Sequence, residues 1–167
     1  MSIVTPAEPA HSEEILALAE EMDCFYGATE IAPYDTRIRQ INEALFSDPP
    51  MAHAILAWND QRLVGMATYS FLWPAISLTR SLYLKELYVA RTTRRRGIGK
   101  LLMHNVYEVA AKHNCNRVEW TADRGSTDAQ TFYSSIGAPL STSKLFYRIE
   151  GDRQLLDAIA RTATGQG

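Results

Sequence analysis

The chain has 167 residues, of which 46% are hydrophobic and 22% charged, and its formal net charge at pH 7 is −2. These values are typical of one globular domain over residues 1–167 and exclude a disordered or fibrous chain. No run reaches the roughly 18 apolar residues that a membrane span needs, and the first ten residues lack the basic start of a signal peptide. Two cysteines, Cys24 and Cys115, are too few for a disulfide framework. We therefore expect a cytoplasmic protein that does not bind membranes.

The small net charge hides a difference between two parts of the chain. Residues 1–60 carry 11 acidic and 2 basic side chains, a net charge of −9, whereas residues 61–167 carry 8 acidic and 15 basic side chains, a net charge of +7. Such asymmetry indicates different partners for the two parts, although two solvated faces would give the same numbers. The four histidines are scattered along the chain, so we expect no metal site.

Two helices are predicted before the first strand. Apolar residues recur at helical spacing after Ser12, where the first helix begins. Asp35 is predicted to cap the second helix, which ends before Asp48-Pro49-Pro50. The later elements are a hairpin over 51–58 and 63–73, a strand over 81–89, a helix from 97 to about 113, a strand over 117–122, a short helix over 127–136 stopped by Gly137, a strand over 144–149 and a helix over 152–161. This order indicates a mixed α/β domain with one right-handed crossover.

The stretch from Leu87 to Leu101 carries the most informative chemical pattern. A strand ends there, a turn rich in arginine and glycine follows, and a long helix begins at Gly97 and Gly99. A helix N-terminus leaves backbone N–H groups unpaired and carries a partial positive charge, so it can bind an anion. Because both glycines lack a Cβ, phosphate oxygens can approach the backbone closely. The pattern therefore predicts a phosphate-binding turn.

Three known phosphate-binding patterns can be compared with this turn. A Walker A loop needs Gly at position 94 and Ser or Thr at position 101, where this chain has Arg94 and Leu101. A dinucleotide fingerprint needs Gly at position 102, where it has Leu102. The pattern Arg/Gln-x-x-Gly-x-Gly/Ala matches Arg94-Arg95-Arg96-Gly97-Ile98-Gly99 at every defined position. In this motif the chain resembles the GNAT superfamily of N-acetyltransferases, whose members bind the pyrophosphate of acetyl-CoA with it.

The resemblance covers most of the chain. It includes the N-terminal helices, the hairpin, Leu87-Tyr88-Val89, and a later block that runs from Ala129 to Tyr133 and continues with Gly137-Ala138. Within the superfamily, residues 83–89 and that block look most like the spermidine/spermine and thialysine acetyltransferases. The resemblance implies an α/β fold of GNAT type, with a mixed, mostly antiparallel sheet, flanking helices and a cofactor cleft after the fourth strand. It also implies a homodimer.

Roles for individual residues follow from the resemblance. The strand backbone would pair with the pantetheine arm of acetyl-CoA, and the N–H groups of the turn would hold its pyrophosphate. The implied cofactor-binding residues are Leu87, Tyr88, Val89, Arg94, Arg95, Arg96, Gly97, Ile98, Gly99, Lys100 and Ser126, the last of which stands where the family has Asn. Tyr133 would protonate the leaving thiolate, as a phenol can do when it is close and desolvated. Packing beside Phe132 is the alternative interpretation of Tyr133.

The catalytic base is the point at which this chain departs from the family. Polyamine-type members carry a carboxylate four residues before the valine of the strand, where this chain has Lys85. Glu86 is the first candidate for a base acting through water, although strand alternation turns it to the opposite face unless a bulge re-aims it. Glu119 and Asp123 are weaker candidates. Cys115 is interpreted as a packed thiol and not as a nucleophile.

These residues predict transfer of an acetyl group from acetyl-CoA to a primary amine by direct attack in a ternary complex. A small cationic acceptor is expected, because an acidic lip near the first helix would attract it. The four carboxylates of that lip are Glu20, Glu21, Asp23 and Glu30. A non-catalytic acetyl-CoA-binding module and an enzyme acting on a protein or peptide amine are the alternatives. Nucleic-acid binding through the arginines of residues 91–96 is not expected, because the isoelectric point is near 6.1.

Overall fold

The computed structural model describes residues 2–163. The chain divides into two compact units, of which the first ends at Ser126 and the second begins at Thr127. A single domain over the whole chain stays a prediction. Among the helices of residues 2–163, none combines the length and the apolar character needed to cross a membrane.

The first unit is built on a five-stranded sheet in the order β1-β2-β3-β4-β5. The strands are β1 (Ser2–Pro6), β2 (His53–Asn59), β3 (Arg62–Leu72), β4 (Arg80–Val89) and β5 (Cys115–Glu119). The first four pair antiparallel, and β5 runs parallel to β4. The predicted mixed, mostly antiparallel sheet is therefore confirmed. Strand β1 was not predicted, although its Ile3-Val4-Thr5 run is β-branched throughout.

Three helices belong to the first unit: α1 (Ser12–Phe25), α2 (Tyr34–Leu45) and α3 (Ile98–Lys112). The predicted cap of α2 is wrong, because the helix begins at Tyr34 and Pro33 occupies the N-cap position. Asp35 instead lies in the first turn, where its negative charge still favours the positive end of the helix dipole.

Helices α1 and α3 cover opposite faces of the sheet. A Cβ added at Gly65 of β3 would lie 3.0 Å from Cγ2 of Ile98 and 3.1 Å from Cδ1 of Leu102, so α3 packs directly against this position. Met66 points to the other face by strand alternation and packs in a core with Leu18 of α1. The absence of a side chain at Gly65 lets the first turns of α3 approach the sheet beside β4.

The second unit contains α4 (Thr127–Ser135) and α5 (Asp152–Ala163). Gly137, at a φ of 74°, follows α4 in the left-handed conformation, which agrees with its predicted role as a stop. The strand predicted over 144–149 is wrong: these residues are irregular, and Leu145 and Tyr147 are 79% and 84% exposed. A strand needs backbone hydrogen bonds from a neighbour, and the described residues of this unit include no other strand.

Candidate active site

Strand β4 separates from β5 partway along its length. The parallel pairing begins with Arg80 opposite Cys115 and ends with Tyr83 opposite Glu119, where β5 also ends. Strand β4 continues to Val89 and stays paired with β3 on its other side. Because only half of the peptide groups of an edge strand point to its partner, residues 84–89 present the other half to the side that β5 leaves open. This opening is the predicted cleft after the fourth strand.

The turn between β4 and α3 presents backbone donors. A 3₁₀ turn over Arg91–Thr93 is followed by two residues with positive φ, Arg95 at 62° and Gly97 at 82°. Helix α3 then begins, and its first internal bond joins the Leu101 N–H to the Gly97 carbonyl at 2.9 Å. The first-turn N–H groups without an intrahelical acceptor are those of Ile98, Gly99 and Lys100. This segment, residues 95–100, is called the phosphate turn below because its donors suit an anion.

Arg94 differs from the two exposed arginines that follow it. Its guanidinium lies 4.3 Å from the centre of the Phe25 ring and 5.3 Å from that of Tyr88, and its Nε donates to the Val89 carbonyl at 3.0 Å. Each cation–π contact of this kind is worth about 0.5–2 kcal/mol. The side chain therefore joins α1 to the end of β4, and its contact with a cofactor stays a prediction.

A β-bulge in β4 lies immediately before Glu86. Thr68 lies opposite Glu86, but the next residue of β3, Tyr69, lies opposite Leu84, so Lys85 is an extra residue in β4. Because directly opposed residues share a face, Glu86 lies on the face of Thr68 and Leu84 lies on the face of Tyr69. The bulge thus breaks the strand alternation between Leu84 and Glu86. Strand β4 contains no glycine or proline from which the bulge could be predicted.

Glu86 is half-buried, and its surroundings favour the protonated carboxyl. Burial raises the pKa of Glu86 above its ordinary value, Lys85 lowers it, and the charges of Asp123 and Asp23 raise it again. A carboxyl group whose pKa is moved toward neutrality is a more effective general base at physiological pH.

Three carboxylates and a phenol interact electrostatically near this bulge. The carboxylates Asp23, Glu86 and Asp123 are called the carboxylate cluster below. Burial raises the pKa of Tyr26. The charges of Glu86 and Asp123 raise the pKa of this phenol further, and the charge of Arg94 lowers it. Tyr26 is the C-cap of α1. Asp123 was predicted as a weaker candidate base, but the sequence carries no signal for Tyr26, because only the packing of α1 brings it near β4.

Internal contacts engage three of the four carboxylates predicted to form an acidic lip. Arg37, which is 8% exposed, pairs with Glu20 at 2.7 Å and with Asp23 at 2.9 Å. Glu21 accepts two hydrogen bonds from β4 and the residues after it. The lip is therefore less negative than the sequence predicts, and Glu86 and Asp123, the two members of the carboxylate cluster outside the lip, are the better candidates for attracting a cation.

Two further candidates from the sequence have ordinary structural contacts. Glu119 lies with its Oε1 3.5 Å from Nη1 of Arg117, so its charge is partly balanced. Burial raises the pKa of the Cys115 thiol, and Arg80 lowers it. A thiol whose pKa is raised by burial stays protonated and is a poor nucleophile, which agrees with its interpretation as a packed residue.

Tyr133 and Ser126 belong to different units of the chain. Tyr133 belongs to α4 of the second unit, where its ring is edge-on to Phe132 with 5.1 Å between the ring centres. The predicted packing with Phe132 is thus observed, and it leaves the role of the hydroxyl as a prediction. Ser126 ends the first unit, and its backbone N–H donates to the Asp123 carbonyl at 3.0 Å.

Comparisons with known proteins identify the family of this chain. Residues 15–138 match the model of the Acetyltransferase (GNAT) family. The L-ornithine N5-acetyltransferase NATA1 of Arabidopsis thaliana is 29% identical over 94 residues, which are 56% of this chain and 41% of that protein. The chain therefore spans less than half the length of that relative. The thialysine N-epsilon-acetyltransferase of Mus musculus is 26% identical over 155 residues, with 80% of this chain and 91% of that protein covered.

Solved structures show the same fold. An integron cassette protein from the mobile metagenome of V. cholerae aligns with a TM-score of 0.84 and 29% identity over 98% of each chain. The aminoglycoside N-acetyltransferase AAC(6')-Iy in complex with CoA aligns with a TM-score of 0.73 and 19% identity, over 89% of this chain and 94% of that one. The fold and the resemblance predicted from the sequence are confirmed. The chain belongs to the GNAT family of acetyltransferases.

Proposed function

We propose that this protein transfers the acetyl group of acetyl-CoA to a primary amine of a small cationic acceptor. The observation that carries the proposal is the position of Glu86, half-buried on the face of β4 that carries Tyr88, where Asp23 and Asp123 act on it. An alkyl ammonium of pKa ~10.4 is neutral in about one molecule in 2,500 at pH 7, a cost of about 4.6 kcal/mol. A base beside the amine offsets much of that cost, and Glu86 has a pKa shifted in the required direction.

Acetyl-CoA fits the open side of β4 and the phosphate turn. The backbone of Leu87 and Val89 lies along the part of β4 that β5 does not pair, where the amides of a pantetheine arm can add hydrogen bonds in the manner of a strand. The first-turn N–H groups of α3 and the exposed Arg95 and Arg96 suit a pyrophosphate. The family match of residues 15–138 supports this assignment.

The proposed reaction is a direct acyl transfer. The neutral amine nitrogen attacks the carbonyl carbon of the thioester, so a C–N bond forms and the C–S bond breaks. Before the attack, Glu86 takes the proton of the bound ammonium through a water molecule. As the amide forms, the nitrogen releases a second proton to water, and the hydroxyl of Tyr133 donates its proton to the leaving thiolate and regains one from solvent. No acyl-enzyme is required, and the raised pKa of Cys115 argues against one.

The variant Gly99→Asp tests the placement of acetyl-CoA. It adds a Cβ and a negative charge at the first turn of α3, where the pyrophosphate is proposed to bind. We expect the Kd of acetyl-CoA, measured by titration calorimetry, to rise more than about tenfold. Lys112→Gln, in the last turn of the same helix, also lowers the charge by one unit and is the control that leaves this Kd unchanged. A rise of less than about threefold for Gly99→Asp would place the pyrophosphate elsewhere.

Salt dependence tests the charge of the acceptor. If the carboxylate cluster attracts a cation, kcat/KM for a diamine should fall with ionic strength much faster than kcat/KM for a neutral-tailed amine of equal length. Asp123→Asn should lower kcat/KM for the diamine by up to about fivefold, the effect of one exposed ion pair, and should spare the other amine. Glu108→Gln, an exposed carboxylate of α3, is the matched control. If kcat/KM fell equally with ionic strength for the two amines, the proposal of a cationic acceptor would be contradicted.

Two alternatives have distinct outcomes in a CoA-release assay. Tight binding of acetyl-CoA without turnover on a panel of polyamines, amino acids and aminoglycosides would identify a binding module. Turnover on Lys peptides alone would identify an enzyme acting on protein amines. The homodimer and the cytoplasmic location stay predictions from the resemblance and the sequence.

A further inference from the structure

The last two turns of α1 hold the end of β4 through two separate contacts. Oε1 of Glu21 accepts the hydroxyl of Tyr88 at 3.1 Å and the backbone N–H of Arg91 at 2.7 Å. Four residues later, the ring of Phe25 lies edge-on to Tyr88 at 6.2 Å and 4.3 Å from the guanidinium of Arg94. Residues four apart lie on one face of a helix, so a single face of α1 makes both contacts.

Glu21 binds one residue of β4, Tyr88, and the first residue of the 3₁₀ turn that follows this strand, Arg91. Arg91 begins a 3₁₀ turn, and its N–H is one of the donors that a helical turn leaves without an internal acceptor. A carboxylate satisfies such a donor with a charge-assisted bond, which is stronger than a neutral one. Tyr88 is 2% exposed and lies two residues after Glu86, on the same face of β4. One side chain therefore holds the strand that carries Glu86 and the start of the chain that leads to the phosphate turn.

The same end of α1 also carries groups of the proposed acceptor side. Asp23 and Tyr26 lie within one turn of Glu21 and Phe25, and both interact electrostatically with Glu86. In an acyl transfer, a displacement of about 1 Å between the reacting groups can lower the rate about 100-fold. The position of α1 relative to the phosphate turn is therefore a condition for turnover and not only for stability.

We infer that Glu21 is a positioning residue of the proposed acetyltransferase: through Tyr88 and Arg91 it holds Glu86 of β4 and Asp23 of α1 at a fixed distance from the phosphate turn. This inference rests on the proposed function. In the proposed reaction Glu21 contacts neither acetyl-CoA nor the amine. Its effect passes through Tyr88 and Arg91, which donate hydrogen bonds to it.

The test separates turnover from cofactor affinity. Glu21→Ala is expected to lower kcat at least about tenfold, while the Kd of acetyl-CoA from calorimetry changes less than about threefold. Glu21→Gln keeps an oxygen acceptor of the same length and is expected to restore kcat to within about threefold of the wild type. Phe25→Leu, which removes the ring but keeps an apolar side chain, is expected to show the same split as Glu21→Ala. Glu14→Gln, an exposed carboxylate of the same helix, is the control and leaves both quantities unchanged.

The possible outcomes are distinguishable. A purely stabilising residue would lower Tm but leave kcat per folded molecule unchanged, with the folded fraction taken from the calorimetric stoichiometry. A wild-type kcat in Glu21→Ala would overturn the inference, and so would a loss confined to the affinity for acetyl-CoA. If the wild type acetylates no amine of the panel, the proposed function fails and the inference fails with it. An active wild type with an unaffected Glu21→Ala overturns the inference alone.

Discussion

Replacement of Glu86 by Gln is expected to lower kcat about 100-fold, because the amide keeps the shape of the carboxyl group but cannot take up the amine proton. Burial is the main reason that the pKa of Glu86 lies above its ordinary value. The wild type should therefore gain activity as pH rises and Glu86 loses its proton, at a pH above the ordinary range of carboxyl groups. In the variant this rise, which follows the titration of Glu86, should be absent. The residual rate should instead increase about tenfold per pH unit as solvent deprotonates the amine. A profile of kcat/KM against pH measures both effects.

Lys85→Gln is the matched control for this profile. Lys85 lowers the pKa of Glu86, so its removal should move the activity limb to higher pH and leave kcat on the plateau near that of the wild type. An unchanged kcat in Glu86→Gln would assign the base to another group.

Stability gives a second readout of the same residue. A carboxyl group whose pKa is raised in the folded state loses its stabilising effect as pH rises through that pKa, because ionisation is easier in the unfolded chain. Glu86→Gln is therefore expected to raise Tm at about pH 7, well above the ordinary pKa of a glutamate, and to leave Tm nearly unchanged at about pH 3, below that ordinary pKa.

Tyr133→Phe is expected to lower kcat about 100-fold or more while the Kd of acetyl-CoA changes little. The substitution removes only the hydroxyl and preserves the edge-on ring contact with Phe132. Loss of the proton donor should therefore appear in the chemical step alone. Single-turnover kinetics with saturating acetyl-CoA measure that step without the contribution of product release.

A second tyrosine of the same unit supplies the control. Tyr147 is 84% exposed, and Tyr147→Phe should leave the single-turnover rate unchanged. A wild-type rate in Tyr133→Phe would reduce Tyr133 to a packing residue beside Phe132. The leaving thiolate would then be protonated by solvent.

The phosphate turn and helix α3 could be predicted from the sequence because their determinants are local. Gly97 adopts a φ of 82°, a conformation that glycine reaches without steric cost, and the apolar residues after it recur at helical spacing. The donors of the first turn of a helix exist wherever a helix begins. The motif match, the long helix and the predicted anion-binding site therefore follow from fewer than twenty consecutive residues.

Contacts between distant parts of the chain could not be predicted in the same way. Arg94 belongs to the motif, yet its guanidinium lies on the ring of Phe25, which is far away in sequence. The ion pairs of Arg37 in α2 with Glu20 and Asp23 in α1 could not be predicted either, because they depend on how the two helices pack. In the second unit, the sequence predicted a strand over 144–149, but a strand forms only where a neighbouring strand supplies hydrogen bonds.

The sequence by itself determined the family, the fold class and the phosphate turn, since each is written in short-range patterns of glycine, arginine and apolar residues. The bulge immediately before Glu86 was decided only by the tertiary structure. Side chains of a strand alternate, and one extra residue reverses every position beyond it. Whether Lys85 is that extra residue depends on how β3 and β4 pair, with Thr68 opposite Glu86 and Tyr69 opposite Leu84. The face of Glu86 relative to Leu84 is therefore set by the register between two strands and not by the residues next to it.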